Sequence, residues 1–207
     1  MMGKPPQDVK NQLILISFFL CVAAMPATAQ TTVVYTLNGA DEDASIDDYY
    51  PNQNNPNEIE YCSGAWTIQG TPVIWRNLMR FPLNCIPSNA IVEDARLSLY
   101  FATQNNFGDT AHSSLTHFDE SIIQRVTGPW NESTVTWNSQ PGVTTVDEVV
   151  IPQSISGTDD YLNLNVTAMV QQMITSPASN FGFMIKAINE SPYARMFFAS
   201  GDNPDAT

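Results

Sequence analysis

The sequence predicts an all-β protein, a jelly-roll-like antiparallel β-sandwich with one short amphipathic helix. Three observations support this fold class. Short runs rich in β-branched and aromatic residues recur along the chain, 14 prolines fall mainly between them, and residues 95–101 alternate between apolar and polar side chains. Short strands at this spacing, separated by turns, are typical of sandwiches and jelly rolls.

The clearest single strand is that alternation, in which Ala95, Leu97, Leu99 and Phe101 point inward. The remaining strands are predicted at residues 33–37, 65–69, 78–83, 121–126, 134–137, 146–151, 161–164, 181–188 and 196–199. The prediction at 134–137 comes from PWNESTVTWNSQP at 129–141, where two tryptophans flank a β-branched centre and a proline closes each end.

One segment has helical periodicity. Thr167 is predicted as its N-cap, Met169, Met173 and Ile174 recur on one face together with Val170, and Pro177 ends the run. We therefore expect a short helix that covers one end of the sandwich, with its methionines packed in the core.

The first 29 residues have the three zones of an export signal. Lys4 and Lys10 precede an apolar run at residues 13–24, and ATA at 27–29 matches a cleavage site. The apolar run, about twelve residues, is too short to span a membrane. The alternative is an uncleaved amphipathic N-terminus. We expect cleavage near Ala29, a secreted or cell-surface protein, and a single domain over residues 30–207.

Acidic residues dominate the composition, with 21 Asp and Glu against 8 Lys and Arg and a net charge of −13. This charge argues against binding to nucleic acid or to anionic membranes. It also disfavours a polyanionic glycan, unless arginines cluster locally or calcium bridges the two. No catalytic site is predicted, since Ser133 and Ser139 lack a nucleophile elbow and carboxylates are too abundant for any pair to be informative.

Six stretches together resemble the DNRLRE (disaggregatase-related repeat) modules of secreted microbial proteins, and they occur in that family's order. They are DASI at 43–46, RNLMRFPL at 76–83, IPSNAIVEDARLSLYF at 86–101, RVTGPWNESTVTWNSQP at 125–141, NVTAMVQQM at 165–173 and NFGFMIK at 180–186. The resemblance implies a secreted β-sandwich that binds carbohydrate without catalysis, with DASI as the opening strand.

The chain departs from that family in two ways. Pro82 and Asn165 stand where the family commonly has aspartate, and the sequence stops at Thr207 where the family continues into a final strand. We expect a C-terminally truncated domain, whose open sheet edge could pair with another chain.

Aromatic residues in the loop-rich early part are the predicted sugar contacts, because a flat ring can stack on a sugar. They are Trp66, Trp75, Tyr49, Tyr50 and Tyr61. The alternative is core packing, which is the role we predict for Trp130 and Trp137.

The acidic run after residue 40 is a candidate site for structural calcium, which takes six to eight oxygen ligands. The predicted ligands are Asp41, Asp43, Asp47 and Asp48, and Asp43 is the strongest because it falls on the opening strand. The alternative is a solvated acidic turn.

Cys62 and Cys85 are the two cysteines beyond the predicted cleavage site. An even pair in an exported protein favours a disulfide, here closing a loop of about 23 residues. The alternative is two separately buried thiols.

The export signal and the strand pattern predict a secreted single-domain module, and the resemblance to the DNRLRE modules implies that it recognises polysaccharide without catalysis. Two alternatives stay open at this point. One is a structural or adhesive surface protein, and the other is an accessory part of a larger polysaccharide-degrading enzyme.

Overall fold

The computed structural model describes residues 30–37, 42–108 and 111–204. The predicted export signal, its cleavage site and Asp41 lie outside these residues. Residues 30–34 form a separate unit without regular secondary structure, and the β-domain begins at Tyr35. No helix within the described ranges is long and apolar enough to cross a membrane.

Ten strands and one α-helix make up the described domain. In chain order they are β1 (Glu42–Asp47), β2 (Glu60–Ile68), β3 (Thr71–Arg80), β4 (Arg96–Leu99), β5 (Ser113–Ser114), β6 (Ser121–Val126), β7 (Val143–Ile151), β8 (Tyr161–Asn165), α1 (Thr167–Thr175), β9 (Phe183–Ala187) and β10 (Ala194–Ala199). Short 3-10 helices occur at Leu83–Cys85, Trp137–Ser139 and Pro177–Ser179.

Eight of the strands form one antiparallel sheet in the order β5-β10-β2-β3-β9-β6-β7, with β1 paired to β3. A two-residue turn joins β2 to β3, and both turn residues, Gln69 and Gly70, have positive φ. Such a turn matches the right-handed twist of a hairpin. Strands β4 and β8 form a separate two-stranded sheet.

The main core lies between the large sheet and a second layer made of β4, β8 and α1. Leu97 and Leu99 of β4 and Met173 of α1 pack against large-sheet residues such as Ile123 and Phe198. The all-β antiparallel sandwich with one helix is therefore confirmed. The inward direction of Leu97 and Leu99 is also confirmed, since both are buried.

The helix occurs where the periodicity predicts it, and Met169, Met173 and Ile174 are buried. The predicted cap differs. Val166 precedes the first turn without a capping side chain, while the Thr167 hydroxyl accepts a hydrogen bond from the backbone N–H of Ala95 at 2.9 Å. Thr167 therefore ties the helix to the strand β4 region instead of capping its own helix.

The predicted strand at 134–137 is wrong. This segment is a turn followed by a 3-10 helix, capped by reciprocal hydrogen bonds between Thr136 and Ser139. The Asn131 side chain accepts the backbone N–H of Ser133 at 3.0 Å. Asn, Ser and Thr side chains here satisfy the backbone locally, which removes the need for a partner strand. No strand forms at 33–37 either.

The predicted disulfide is also wrong, since Cys62 and Cys85 are both free. Strand β2 carries Cys62 into a buried cluster with Val73 and Phe197, whereas Cys85 is exposed on a 3-10 turn. The Cys85 sulfur instead lies 2.8 Å from the Tyr35 hydroxyl. Burial raises the pKa of the Cys62 thiol to about 12 and keeps it protonated.

Candidate functional site

Aromatic side chains from five separate segments meet on one face of β2, β3 and β10. Trp75 and Phe197 form a buried floor, because Cα pairing places Trp75 beside Gly64 and Phe197 beside Cys62. Five rings with more exposure surround or extend this floor. We call this set, with its floor and Arg195, the aromatic face; the five rings are Trp66, Tyr193, Phe107, Tyr49 and Tyr50.

Trp66 is the centre of one half of the aromatic face. The ring of Tyr193 meets it edge-on, with 5.2 Å between centroids and 83° between planes. The Arg195 guanidinium carbon lies 4.2 Å above the Trp66 centroid and 4.8 Å from that of Phe197. Arginine stacked in this way on aromatic rings is held by cation–π attraction.

Arg195 has no carboxylate partner among the described residues. The ion pairs found there hold Arg76 to Glu190, Arg80 to Glu42 and Arg96 to Asp94. The Nε of Arg195 is buried without a hydrogen-bond partner. Burial lowers the pKa of its guanidinium, but an arginine keeps its charge at physiological pH. A half-buried cation with donors to spare can therefore bind acceptor oxygens of a ligand.

The other half of the aromatic face is carried by the loop after β4. Phe107 meets Trp75 edge-on at 5.5 Å and lies 5.6 Å from Phe197. The same loop lines a cleft of about 590 Å³, whose polar walls include Thr103, Gln104 and Asn105. Amide and hydroxyl groups in a cleft beside aromatic rings can hydrogen-bond sugar hydroxyls.

A buried carboxylate holds this loop. Glu60 is 1% exposed, and its Oε2 accepts the backbone N–H of Asn106 at 3.1 Å, while Oε1 is buried without a partner among the described residues. Burial, followed by the neighbouring Glu58 charge and opposed by the Asn106 hydrogen bond, raises the pKa of Glu60 to about 7. The Asn106 hydrogen bond therefore ties the loop that carries Phe107 to the side chain of Glu60.

The structure divides the predicted sugar contacts. Trp66, Tyr49 and Tyr50 belong to the exposed part of the aromatic face, whereas Trp75 and Tyr61 are buried and cannot offer a ring to a sugar. The reason is the packing over each ring: Phe197 and Phe107 pack against Trp75, and Tyr61 lies in the main core with its hydroxyl donated to Asp43.

Trp130 and Trp137 lie outside the aromatic face. The indole N–H of Trp130 donates to the carbonyl of Phe181 at 2.7 Å, which locks the buried ring in the core. Trp137 packs against the same core cluster and lies under the Arg76 guanidinium at 4.4 Å.

Sequence reasoning missed Tyr193, Arg195 and Phe107. Their local sequence carries no motif, and only the pairing of β10 with β2 brings Arg195 beside Trp66. One signal was available for Tyr193. It follows Ser191 and Pro192 in a turn-rich stretch, although sequence alone does not reveal its left-handed backbone at φ 78°.

A second cluster consists of carboxylates. Ligand atoms of Asp43, Glu132 and Asp202 lie within 4.8 Å of one another. Three elements supply them: β1, the turn after Trp130, and the turn after β10. Asp43 is buried, and its Oδ2 accepts hydrogen bonds from the Tyr61 hydroxyl at 2.5 Å and the Gly201 N–H at 2.8 Å.

The electrostatics of this cluster show repulsion at Glu132. Burial, and then the charges of Asp43 and Asp202, raise the pKa of Glu132 to about 7. Burial and the Asp43 carboxylate also raise the pKa of Tyr61. Three carboxylates this close require a proton or a cation to relieve the repulsion, and carboxylate oxygens are the ligands that calcium prefers.

The predicted calcium loop does not come together as a unit in the described residues. Asp43 joins the cluster, but Asp47 and Asp48 are used to fix the turn after β1. The carboxylate of Asp47 accepts the Tyr50 N–H at 2.7 Å, and that of Asp48 accepts the Ile74 N–H at 2.7 Å. Glu132 and Asp202 were not predicted as ligands, because their proximity to Asp43 depends on the fold.

Comparison with known proteins gives one family. No curated protein matches the chain. Residues 34–206, which include every strand and the helix described above, match the model of carbohydrate-binding module family 96. The chain therefore belongs to carbohydrate-binding module family 96.

Proposed function

We propose that this carbohydrate-binding module holds polysaccharide on its aromatic face. Modules of this kind are typically non-catalytic, so the function is to bind. The observation that carries the proposal is the Trp66–Arg195 stack, in which a guanidinium lies on an indole beside a partly exposed tyrosine and has no carboxylate partner within the described ranges. Aromatic rings supply apolar contact with a sugar ring, and the guanidinium supplies hydrogen bonds to its oxygens.

The test is binding of soluble polysaccharides by affinity electrophoresis and calorimetry. Trp66→Ala and Tyr193→Gly are expected to weaken binding by tenfold or more, since a lost ring contact costs on the order of 1.5 kcal/mol. Glycine suits position 193 because its φ is positive. Tyr100→Ala is the matched control, because Tyr100 is exposed but lies outside the aromatic face. Equal losses in the control, or none in the two variants, would refute this location.

Calcium is proposed as a structural clamp at Asp43, Glu132 and Asp202. The ion would neutralise three crowded carboxylates and join β1 to the turns after Trp130 and β10. Thermal denaturation with added calcium tests this, with magnesium as a comparison. The melting temperature should rise with calcium, and Glu132→Gln should reduce the rise. Asp147→Asn, on β7, is the control, and an unchanged melting temperature in the wild type would remove the clamp.

Self-association through a sheet edge is retained as a second proposal. Strand β7 ends the large sheet, and its Val146 and Val150 side chains are exposed. A long edge strand with apolar side chains favours pairing with another chain. Size-exclusion chromatography at rising protein concentration should then show a shift to larger species. Val146→Lys should reverse that shift, and elution that is independent of concentration would exclude it.

We also retain secretion, with cleavage near Ala29, and kinship to the DNRLRE modules as proposals. They are supported by the N-terminal pattern and by the six motifs, respectively. Mass spectrometry of the protein recovered from the culture medium would test the cleavage site.

A further inference from the structure

The rings that are in contact on the aromatic face do not form a flat platform. Four ring pairs are in contact on it. Three are close to perpendicular: Trp66 with Tyr193 at 83°, Trp75 with Phe107 at 85°, and Tyr49 with Tyr50 at 83°; the fourth, Phe107 with Phe197, is tilted at 55°. In addition, the Arg195 guanidinium covers one side of the Trp66 indole at 4.2 Å. Neighbouring rings therefore cannot lie together against one plane.

The backbone of Tyr193 is held at a fixed place beside Trp66. The N–H of Tyr193 donates to the Ala65 carbonyl at 2.9 Å, and its carbonyl accepts the Leu115 N–H at 3.0 Å. Its φ of 78° is unusual for a residue other than glycine, and such a conformation persists only where the surroundings enforce it. These contacts fix the point beside the Trp66 ring from which the tyrosine side chain leaves the backbone.

These facts distinguish two physical forms of polysaccharide. The face of a crystalline polysaccharide is planar, and adsorption on it by stacking needs several coplanar rings. Its hydroxyls are also bonded to neighbouring chains of the lattice. A single dispersed chain exposes the faces and edges of its sugars, so two perpendicular rings can contact one sugar at once. Its hydroxyls are free to meet Arg195 and the amide-lined cleft beside Phe107.

We infer that this module takes a single, dispersed polysaccharide chain and does not adsorb to crystalline polysaccharide faces. The inference rests on the proposed function of the aromatic face, and it adds the physical form of the substrate. Two perpendicular rings favour a dispersed chain over a crystalline face, because a planar lattice can contact only one of the two rings.

The experiment compares one polysaccharide in two forms, using the full chain. Soluble cello-oligosaccharides are compared with crystalline cellulose, and soluble chitin oligosaccharides with crystalline chitin. Any other glycan that binds in solution is compared with its own insoluble form. Calorimetry measures the soluble form, and depletion of protein from a slurry measures the crystalline form, with Trp66→Ala and Tyr193→Gly as the two variants and Tyr100→Ala as the control.

The expected result is saturable binding to a soluble chain, weakened tenfold or more by Tyr193→Gly, and at least tenfold less depletion by the crystalline form. Strong depletion by a crystalline form that Trp66→Ala abolishes would overturn the inference while leaving the proposed location intact. Depletion that neither variant changes would overturn both. The absence of binding to every glycan in both forms would likewise overturn both.

Discussion

Replacing Glu60 with glutamine tests whether one buried carboxylate governs the loop beside the aromatic face. Glu60 lies at the start of β2 and is almost fully buried. One of its oxygens holds the Asn106 N–H, and the other has no partner among the described residues. Glutamine has nearly the same shape and can still accept that N–H, but it carries no charge.

The magnitude follows from the pKa of Glu60, which rises from 4.5 to about 7 on folding. At about 1.4 kcal/mol per pKa unit, the difference corresponds to roughly 3 kcal/mol. Because the folded state binds the proton more tightly, its contribution to stability is complete below pH 4.5 and is lost as the pH rises toward 7. Glu60→Gln removes this loss. The free energy of unfolding of the variant should therefore rise relative to that of the wild type by roughly 3 kcal/mol between pH 4 and pH 8.

Urea denaturation at several pH values measures this effect as the difference in unfolding free energy between variant and wild type. In this difference, the contributions of other titrating groups to the pH dependence cancel to a first approximation. Glu58→Gln is the control, since Glu58 contributes only a secondary charge effect on Glu60. The difference in unfolding free energy between Glu58→Gln and the wild type should change by less than about 1 kcal/mol over the same pH range. A flat difference for Glu60→Gln, or one that falls with pH, would refute the reasoning.

Three further predictions concern the scaffold. Gly182→Ala should destabilise the protein by more than about 2 kcal/mol in urea denaturation, because its Cβ would lie 2.0 Å from the Met79 carbonyl oxygen. Gly70 has a similar φ but open space around it, so Gly70→Ala should lower stability by about half as much. His112→Gln should lower the free energy of unfolding at pH 8, and its difference from the wild type should shrink toward pH 5, because burial lowers the pKa of His112 and the unfolded wild type gains a proton near pH 6.5. A difference that widens toward pH 5 would contradict this. Trp130→Phe should lower stability by about 1 kcal/mol through loss of the 2.7 Å hydrogen bond to Phe181, and an unchanged denaturation midpoint would show that bond to be unimportant.

Much of the fold could be predicted from the sequence, because local patterns encode strands and helices. The alternation at Leu97 and Leu99 gave β4 its buried side, and the spacing of Met169 and Met173 gave α1 its buried face. The segment at 134–137 could not be predicted in this way. Its β-branched residues favour a strand, but hydrogen bonds between Thr136 and Ser139 satisfy the backbone without one.

The candidate site could be predicted only in part. The early aromatic run gave Trp66, Tyr49 and Tyr50, but composition does not tell a buried ring from an exposed one. Trp75 lies in the floor because Phe197 packs beside it and the loop after β4 places Phe107 edge-on against it. The acidic run gave Asp43 and no other member of its cluster, since Glu132 and Asp202 are distant in sequence.

What the sequence by itself determined is the character of the protein: an acidic, strand-rich chain with one amphipathic helix and the motifs of a carbohydrate-binding module. These properties depend on composition and on periods of two or 3.6 residues, which are local. The tertiary structure alone decided which side chains meet. Arg195 reaches Trp66 because β10 pairs with β2, and Asp43 reaches Glu132 and Asp202 because three distant segments converge beside β1. Contacts between residues so far apart in the chain depend on strand order and register, which no short stretch of sequence encodes.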